Sequence, residues 1–246
     1  TRLLSPKTKA IMPVHIYGFS ANMDEVMAFA KEHKLFVIED AAQALGIKWD
    51  GKGCGSFGDV ATFSFFADKT ITTGEGGFVC TNSKEIHEEL LYLRNQGRLN
   101  RGTFIHPRIG YNFRMTDIQM AIGLSQLKKF NTIIERKNEI FHLYKRLLSD
   151  VEAINILIPN DKINPHIPFR VVLMTKEKSE GLMKYMGENG IETRTFFYPL
   201  HKQPCMKQFS QNYKLLKNSI YAYEHGVCLP SYVALEAKQI EYVCSV

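Results

Sequence analysis

Short apolar runs alternate with helical segments over the first 95 residues, and this alternation constrains the fold more than any other feature of the sequence. The runs Lys9–Tyr17, Leu35–Ile38 and Val60–Phe66 are mostly apolar and have the length of buried strands. Between the first two runs, Asn22 and Glu25 have the spacing of a capping box at the start of a helix. Buried strands separated by helices are typical of an α/β fold. The sequence therefore predicts an α/β domain with a mostly parallel sheet and helices on both faces.

The pattern changes in the second half of the chain. Apolar positions at helical spacing follow Thr116 and continue towards Leu148, which is long for one globular helix, so we expect a bend near Asn131. Shorter strand and helix patterns come after it. We expect residues 1–130 to form part of a large domain, and residues 131–246 to form a long linking helix and a smaller C-terminal α+β domain.

Composition argues against several classes of protein. The 246 residues are 45% hydrophobic, which is enough for a sizeable core. No apolar run approaches the roughly 20 residues that a membrane span needs, so no membrane partner is expected. The net charge is +6, but the basic residues are spread along the chain, which does not indicate a nucleic-acid surface. The five cysteines are widely spaced, odd in number and without a C-x-x-C pair, which fits a reducing compartment, so we expect a cytoplasmic protein.

Residues at the carboxyl ends of the predicted strands carry most of the functional information, because ligands of parallel sheets bind there. Asp40 ends one apolar run, where its carboxylate either caps the turn that follows or meets a functional partner. Lys69 follows another run. It is either a lysine that has left the sheet for solvent or an amine in a low-dielectric pocket that can form a Schiff base. His15 lies near the end of the first run.

Asp40 and Lys69 together have the chemistry that pyridoxal 5'-phosphate (PLP) requires. A lysine holds the cofactor's aldehyde, and an acid keeps the pyridine nitrogen protonated so that the ring can act as an electron sink. Ser64, near the end of the lysine's own strand, could donate a hydrogen bond to the phosphate. Small residues after the lysine would leave room for a ring; they are Thr72, Thr73, Gly74, Gly76 and Gly77.

Other cofactors and metals have little support in the sequence. The glycine-rich stretch GKGCGSFG lacks the Gly-Lys-Ser/Thr of an ATP-binding loop and is not a G-x-G-x-x-G dinucleotide motif. The eight histidines show no spacing typical of metal ligands. The five cysteines contain no C-x-x-C pair, so neither a zinc site nor a disulfide framework is predicted.

The sequence resembles the DegT/StrS family of PLP-dependent sugar-nucleotide aminotransferases in five segments. In order along the chain they are PVHIYG, IEDAAQALG, GSFGDVATFSFFADKTITTGEGG, GYNFRMTDIQMAIGLSQL and YPLHKQP. The resemblance covers nearly the whole chain. It implies the fold type I architecture of the aspartate aminotransferase superfamily, with a large PLP-binding domain and a smaller C-terminal domain.

The resemblance also implies a role for each matching residue. Lys69 would bind PLP and move protons between the substrate carbon and the cofactor, and Asp40 would pair with the pyridinium nitrogen. Gln43 would lie against the ring and its hydroxyl side, and Ser64 would bind the phosphate. Asn112, in GYNFRM, would reach the phosphate of the neighbouring subunit, so that a homodimer would share its active sites.

A further resemblance concerns the substrate. TRTFFYPLHKQP is similar to a segment of the enzymes that aminate C4 of 4-keto-6-deoxy sugar nucleotides, above all the GDP-perosamine synthases. It implies that Arg194, Tyr198 and His201 face the substrate. His201 could instead be a loop histidine packed on neighbouring prolines, and His15 is either a strand-end structural residue or a wall of the sugar pocket. The implied amino donor is an amino acid, L-glutamate by analogy, and the cofactor would pass through its pyridoxamine phosphate form.

Two alternatives to this function stay open. A related branch of sugar dehydratases carries histidine at the position of Lys69, so the lysine favours transamination over dehydration. The family's chains also have an earlier portion with a Gly-Thr turn that cradles the phosphate, and no segment here resembles it. We expect either that this sequence is part of a longer chain or that the protein is a non-catalytic regulator or binding subunit of the same fold. The intact later motifs favour the first.

Overall fold

The computed structural model describes residues 3–100, 102, 104–209 and 216–246. The chain forms two compact units, and neither is continuous in sequence. The first contains Thr1–Ile134 and Asp161–Phe169, and the second contains Glu135–Asn160 and Arg170–Val246. The domain boundary after residue 130 stays a prediction.

The first unit is built on a four-stranded sheet. Its strands and helices are β1 (Ala10–Ile11), α1 (Met23–His33), β2 (Phe36–Asp40), β3 (Lys48–Trp49), β4 (Lys52–Gly53), β5 (Val60–Ser64), β6 (Gly77–Cys80), α2 (Lys84–Arg94) and α3 (Asp117–Lys128). The strand order is β1-β2-β5-β6. β2 is parallel to both β1 and β5, whereas β6 is an antiparallel edge strand. The expected mostly parallel sheet is therefore present.

β1 is shorter than the predicted strand Lys9–Tyr17. After two paired residues, the sheet continues with an isolated bridge between Val14 and Asp40. Pro13 has no N–H to contribute to a ladder. Tyr17 has a φ of 58°, in the left-handed region, so it turns the chain out of the sheet.

A return segment, Asp161–Phe169, joins the first unit from a distant part of the sequence. The backbone N–H of Asp50 donates to the carbonyl of Lys162 at 2.7 Å, and Trp49 of β3 forms a bridge with Ile163. The return segment also contributes to the apolar core, whose buried members are Met23, Ala41, Ala44, Ile47, Trp49, Cys54, Ile163 and Ile167.

The long helical pattern after Thr116 forms two helices. The Thr116 side chain accepts a hydrogen bond from the Gln119 backbone N–H at 3.3 Å and so caps α3. α3 ends at Lys128, and α4 (Phe130–Leu147) begins two residues later. The bend predicted near Asn131 is thus confirmed as a break at Lys129.

The second unit contains an antiparallel sheet. Its further elements are β7 (Ile154–Ile156), β8 (Val171–Thr175), α5 (Glu180–Glu188), β9 (Arg194–Thr195), α6 (Lys217–His225), β10 (Gly226–Leu229) and α7 (Ala237–Ser245). The strand order is β7-β8-β10-β9. Apolar side chains of α4, β8, β10 and α7 form its core, in which Tyr144 and Ile240 are fully buried. β9 is short, because only Arg194 and Thr195 pair with β10.

Within the described part of the chain, no helix is both long enough and apolar enough to cross a membrane. The same residues contain no cluster of three or more histidine, cysteine, aspartate or glutamate side chains that could hold a metal ion.

Candidate active site

Three of the predicted site residues lie at the carboxyl edge of the first sheet. β2 ends at Asp40 and β5 ends at Ser64, and Asp40 pairs with Thr62 of the parallel neighbour. Lys69 follows after a short turn in which its backbone N–H donates to the carbonyl of Phe66 at 3.0 Å. Parallel strands present their carboxyl ends on one side, so the fold brings Asp40, Ser64 and Lys69 to one edge.

Asp40 is half-buried, and its carboxylate is partly engaged by the turn that follows. Oδ1 accepts the backbone N–H of Ala42 at 3.1 Å, so the capping role considered for this residue is present. A carboxylate has two oxygens and about four acceptor sites, and this bond occupies one of them. Capping and pairing with a cofactor are therefore compatible roles for Asp40.

Ser64 accepts a hydrogen bond within the turn towards Lys69. Its Oγ receives the backbone N–H of Phe66 at 3.2 Å. Because the hydroxyl acts as the acceptor in this bond, its own proton can be given to another acceptor. A phosphate oxygen is an acceptor of that kind.

Lys69 is mostly withdrawn from water. Its side chain is 14% exposed, and Nζ lies 3.6 Å from Oδ1 of Asp68. Nζ also lies 4.9 Å from the ring centroid of Phe169, a buried residue of the return segment. An aromatic face attracts an ammonium group at this distance. The alternative of a lysine that has simply left the sheet for solvent is not supported.

The residues after Lys69 differ in how much space surrounds them. A Cβ added at Gly74 would meet nothing within 4 Å, so the chain surface is open there. A Cβ at Gly76 would instead crowd Met115 and the hydroxyl of Thr73. Gly76 also has a φ of 146°, which glycine adopts most readily. Gly74 thus leaves open space beside the chain, whereas Gly76 allows Met115 and Thr73 to approach the backbone closely.

Gln43 joins the site edge to the turn after β1. Its Oε1 accepts the backbone N–H of Tyr17 at 2.7 Å. A backbone N–H can only donate, so the amide oxygen points to Tyr17 and the two amide N–H donors point away from it. Gln43 can therefore donate to a second group while it holds the turn.

Glu39 is the residue of this region that sequence reasoning missed. It is fully buried beside Asp40 in β2, and its Oε2 lies 3.0 Å from Nε2 of His15. The available signal was a second acid inside an apolar strand, which must find partners when buried. His15 is itself 1% exposed and engaged at both ring nitrogens, which supports the strand-end structural alternative for it. Its role in substrate binding stays a prediction.

Asn112 lies in a loop paired with the end of α2. The backbone forms a bridge between Asn112 and Asn95, and Oδ1 of Asn112 accepts from Nε of Arg114 at 2.9 Å. Nη1 of Arg114 donates to Oδ1 of Asn95 at 3.0 Å, so the arginine connects the loop to the end of α2. Asn112 is exposed. Its reach to a neighbouring subunit stays a prediction.

The three predicted substrate residues lie in the second unit. Arg194 is exposed in β9, with Nη2 3.6 Å from Oε1 of Glu192. The ring of Tyr198 packs edge-on against Tyr223 with centroids 5.0 Å apart. His201 is half-buried in a short 3-10 helix. Their contact with substrate stays a prediction.

Known proteins resemble this chain along its whole length. The model of the DegT/DnrJ/EryC1/StrS aminotransferase family matches residues 1–246. A GDP-perosamine synthase of Escherichia coli O157:H7 is 39% identical over 241 residues, which are 98% of this chain and 65% of that protein. A GDP-perosamine synthase of Vibrio cholerae is 36% identical, over 99% of this chain and 67% of that protein. The chain thus spans about two thirds of the length of these relatives.

Solved structures agree with the sequence comparison. PseC of Helicobacter pylori, an aminotransferase of pseudoaminic acid biosynthesis, superposes with a TM-score of 0.91 at 29% identity, covering 99% of this chain and 67% of PseC. DesV of S. venezuelae, solved with a ketimine intermediate, gives a TM-score of 0.90 at 28% identity, over 98% of this chain and 65% of DesV. The expected fold type I architecture is confirmed. The chain belongs to the DegT/DnrJ/EryC1/StrS aminotransferase family.

Proposed function

We propose that this chain carries out PLP-dependent transamination of a sugar nucleotide. The observation that carries the proposal is the placement of Lys69 with Asp40 and Ser64 at the carboxyl edge of a parallel sheet. Family membership supports it, and so do the names of the relatives, which include GDP-perosamine synthases and a sugar transaminase.

The residues at this edge fit PLP. Asp40 offers a carboxylate with acceptor capacity to spare, and Ser64 has a hydroxyl proton to donate. Lys69 is held largely out of water, and open space surrounds Gly74 a few residues later. When bound, PLP supplies an electron sink and carries the amino group.

Each residue then has a defined task. Asp40 would accept a hydrogen bond from the pyridine N–H and keep the proton on that nitrogen. Ser64 would donate to the phosphate, and Gln43 would present its amide N–H groups to the hydroxyl side of the ring. Lys69 would hold the aldehyde through Nζ, and its amine would move the proton at the substrate carbon.

For the substrates, we propose an amino acid donor, L-glutamate, and a GDP-linked 4-keto-6-deoxy sugar as acceptor. The relatives with the highest identities quoted above are named GDP-perosamine synthases, which supports the GDP-linked sugar. Arg194, Tyr198 and His201 are the proposed substrate contacts. A guanidinium such as that of Arg194 is suited to phosphate oxygens, which it binds in a bidentate manner.

We also propose that the protein is a homodimer with shared active sites. α3 has no buried residue, although apolar side chains point outward all around it. The apolar face formed by α3 and the loop before it exposes Ile109, Tyr111, Phe113, Ile118, Leu124 and Leu127. A surface that groups this many exposed apolar side chains is normally covered by another protein. A second copy of this chain is the proposed cover, because Asn112 lies in the same loop.

A cytoplasmic location is part of the proposal. All five cysteines are free, two of them exposed, as is usual in a reducing compartment.

The decisive experiment follows the cofactor by absorbance. The PLP-loaded protein is titrated with L-glutamate, and we expect conversion to the pyridoxamine form. A GDP-linked 4-keto-6-deoxy sugar should then regenerate PLP and give a product whose mass shows an amine in place of the ketone. Lys69→Ala should reduce turnover by at least about 10³-fold, because it removes the group that moves the proton.

Lys84→Ala serves as the control, since Lys84 is an exposed helix residue whose amine lies 3.9 Å from Glu88. It should leave turnover unchanged. Full activity in Lys69→Ala would overturn the assignment of the lysine. A product that has lost water would identify a dehydratase, and PLP binding without conversion by any amino acid would identify a non-catalytic binding protein.

A further inference from the structure

Glu39 is a buried carboxylate whose two oxygens each receive two donors. Oε1 accepts the backbone N–H groups of Phe57 and Gly58, both at 2.7 Å. Oε2 accepts the backbone N–H of Gly55 at 2.7 Å and lies 3.0 Å from Nε2 of His15. Three of the four donors come from the loop between β4 and β5. The carboxylate therefore fastens that loop to one face of β2.

His15 is fixed in one tautomer by its neighbours. Its Nδ1 accepts the backbone N–H of Ala21 at 3.1 Å and lies 3.4 Å from the hydroxyl of Ser20. Because a backbone N–H can only donate, Nδ1 carries a lone pair and the ring proton sits on Nε2. That proton points at Glu39. His15 thus connects the turn after β1 to the carboxylate in β2.

The same two segments also hold Asp40 through the backbone. The N–H of Asp40 donates to the carbonyl of Pro13 at 2.9 Å, and the N–H of His15 donates to the carbonyl of Asp40 at 3.0 Å. Side chains alternate across a strand, so Glu39 and Asp40 leave β2 on opposite faces. The backbone of Asp40 is therefore bonded, through both its N–H and its carbonyl, to the segment that contains His15, and the side chain of His15 is bonded to Glu39.

We propose that Glu39 and His15 are a positioning pair for the cofactor, which sets the position of Asp40 from the opposite face of β2. The proposal rests on the proposed function, because it takes Asp40 to be the partner of the pyridine nitrogen. A buried ion pair or charged hydrogen bond is weak evidence for stability, since apolar replacements of the same volume are often as stable. The backbone of His15 is bonded directly to that of Asp40, so the pair has a further role, which is to position Asp40.

Two substitutions of His15 separate the halves of this network. Asn places its side-chain oxygen near the position of Nδ1, so His15→Asn keeps the acceptor for Ala21 and loses the donor to Glu39. Gln reaches the position of Nε2, so His15→Gln keeps the donor to Glu39 and loses the acceptor. We expect His15→Asn to raise the PLP dissociation constant by about fivefold or more, and His15→Gln to restore most of that loss.

The readout that separates positioning from general destabilisation is a double-mutant cycle with Asp40→Asn. The PLP dissociation constants of the full chain, the two single variants and the double variant are measured by absorbance. If His15 acts through Asp40, His15→Asn has little further effect once Asp40 is replaced. Urea unfolding of each variant is measured in parallel, so that loss of fold is not read as loss of affinity.

The outcomes distinguish this inference from the proposed function. Equal effects of His15→Asn with and without Asp40→Asn would overturn the positioning role alone. An Asp40→Asn variant that binds PLP as tightly as the original chain would overturn the cofactor role of Asp40, and with it both proposals. Nitrogen NMR of the apo protein should show His15 with its proton on Nε2, and the opposite tautomer would also overturn the inference.

Discussion

Glu39 takes a full negative charge out of water, and its four hydrogen bonds offset the cost of that burial. Desolvation raises the pKa of this carboxyl, but the hydrogen bond from His15 and those from the backbone N–H groups of Gly58, Gly55 and Phe57 outweigh it, so the pKa is lowered. With a lowered pKa in the folded state, Glu39 stabilises the fold fully above the pKa of the unfolded chain. The contribution is lost as the pH falls through the folded-state pKa.

Glu39→Gln should lower the free energy of unfolding by about 3 kcal/mol at pH 7. The amide NH₂ must face either Phe57 and Gly58 or Gly55 and His15, and all of these are donors. No orientation of the side chain satisfies them. Urea unfolding at a series of pH values measures the effect, and the difference between the original chain and the variant should shrink as the pH falls below about 4.

Glu188→Gln is the matched control for this substitution. Its carboxylate lies 3.9 Å from Lys184 and its side chain is 62% exposed, so the change should cost less than about 1 kcal/mol. A stability difference for Glu39→Gln no larger than that of Glu188→Gln would contradict the account of the buried carboxylate.

The site residues that the sequence could predict are those whose position follows from the sequence immediately around them. Asp40 and Lys69 stand at the ends of apolar runs, where strand geometry alone gives them a common edge. Phe169 lies 100 residues after Lys69 in the sequence, and its contact with the lysine depends on the return segment. The backbone partners of Glu39 likewise come from the loop between β4 and β5. This loop has no hydrophobic periodicity from which its path could be predicted. Long-range contacts of this kind follow from packing rather than pattern.

The loop that carries Asn112 is held against the end of α2 by close backbone contacts. Gly97 and Gly110 face each other across this pairing, and a Cβ on Gly97 would collide with the carbonyl of Arg108. Gly97 also has a φ of 79°. Both conformation and space therefore require glycine at this position.

Gly97→Ala should cost about 3 kcal/mol or more of unfolding free energy, because backbone strain and steric overlap both act there. Gly51→Ala provides the control, since Gly51 has the same φ of 79° and nothing within 4 Å of an added Cβ. It should cost only about 1 kcal/mol, the strain alone. Thermal unfolding compares the two variants, and equal costs would contradict the steric part.

The sequence predicted well the elements that have a clear hydrophobic periodicity or a capping residue. It did not predict those that have neither. The helix after Thr116 and its break at Lys129 follow from spacing and a cap. β10 begins at Gly226, directly after α6 ends at His225, with no turn residue between them to mark a strand. Its four residues are buried between β8 and β9, so tertiary pairing determines that strand.

At the scale of the whole molecule, the apolar face of α3 and its preceding loop departs from an ordinary protein surface. Ile118 is 76% exposed and Phe113 is 72% exposed, within one stretch of the chain. Groups of apolar side chains at such exposure mark surfaces that bind another protein. The proposed second copy would remove them from water.

Ile118→Asp should convert the proposed dimer into monomers, because a charge would have to be buried at its interface. Sedimentation velocity measures the change. Ile158→Asp is the control, since Ile158 is 57% exposed in the second unit and lies outside the apolar face. A monomeric original chain, or a dimer that tolerates Ile118→Asp, would contradict the assignment of this face.

The proposed sharing of active sites gives the proposed dimer a second test. Lys69→Ala and Asn112→Ala are each expected to be impaired, but in a mixed dimer one of the two sites combines an intact lysine with an intact asparagine. Random reassembly of equal amounts should restore roughly a quarter of the activity. No recovery on mixing would mean that Asn112 acts within its own subunit.

The return segment has a consequence for how the protein is made. A ribosome releases the chain from its N-terminus, and domains generally fold as they emerge. The first unit, however, includes Asp161–Phe169, so its core lacks Ile163 and Ile167 until those residues have left the exit tunnel. The part of the second unit that precedes the return segment, Glu135–Asn160, is therefore synthesised before the first unit can complete its core. For the same reason, a truncation placed between the two units would leave the N-terminal piece without part of its own interior.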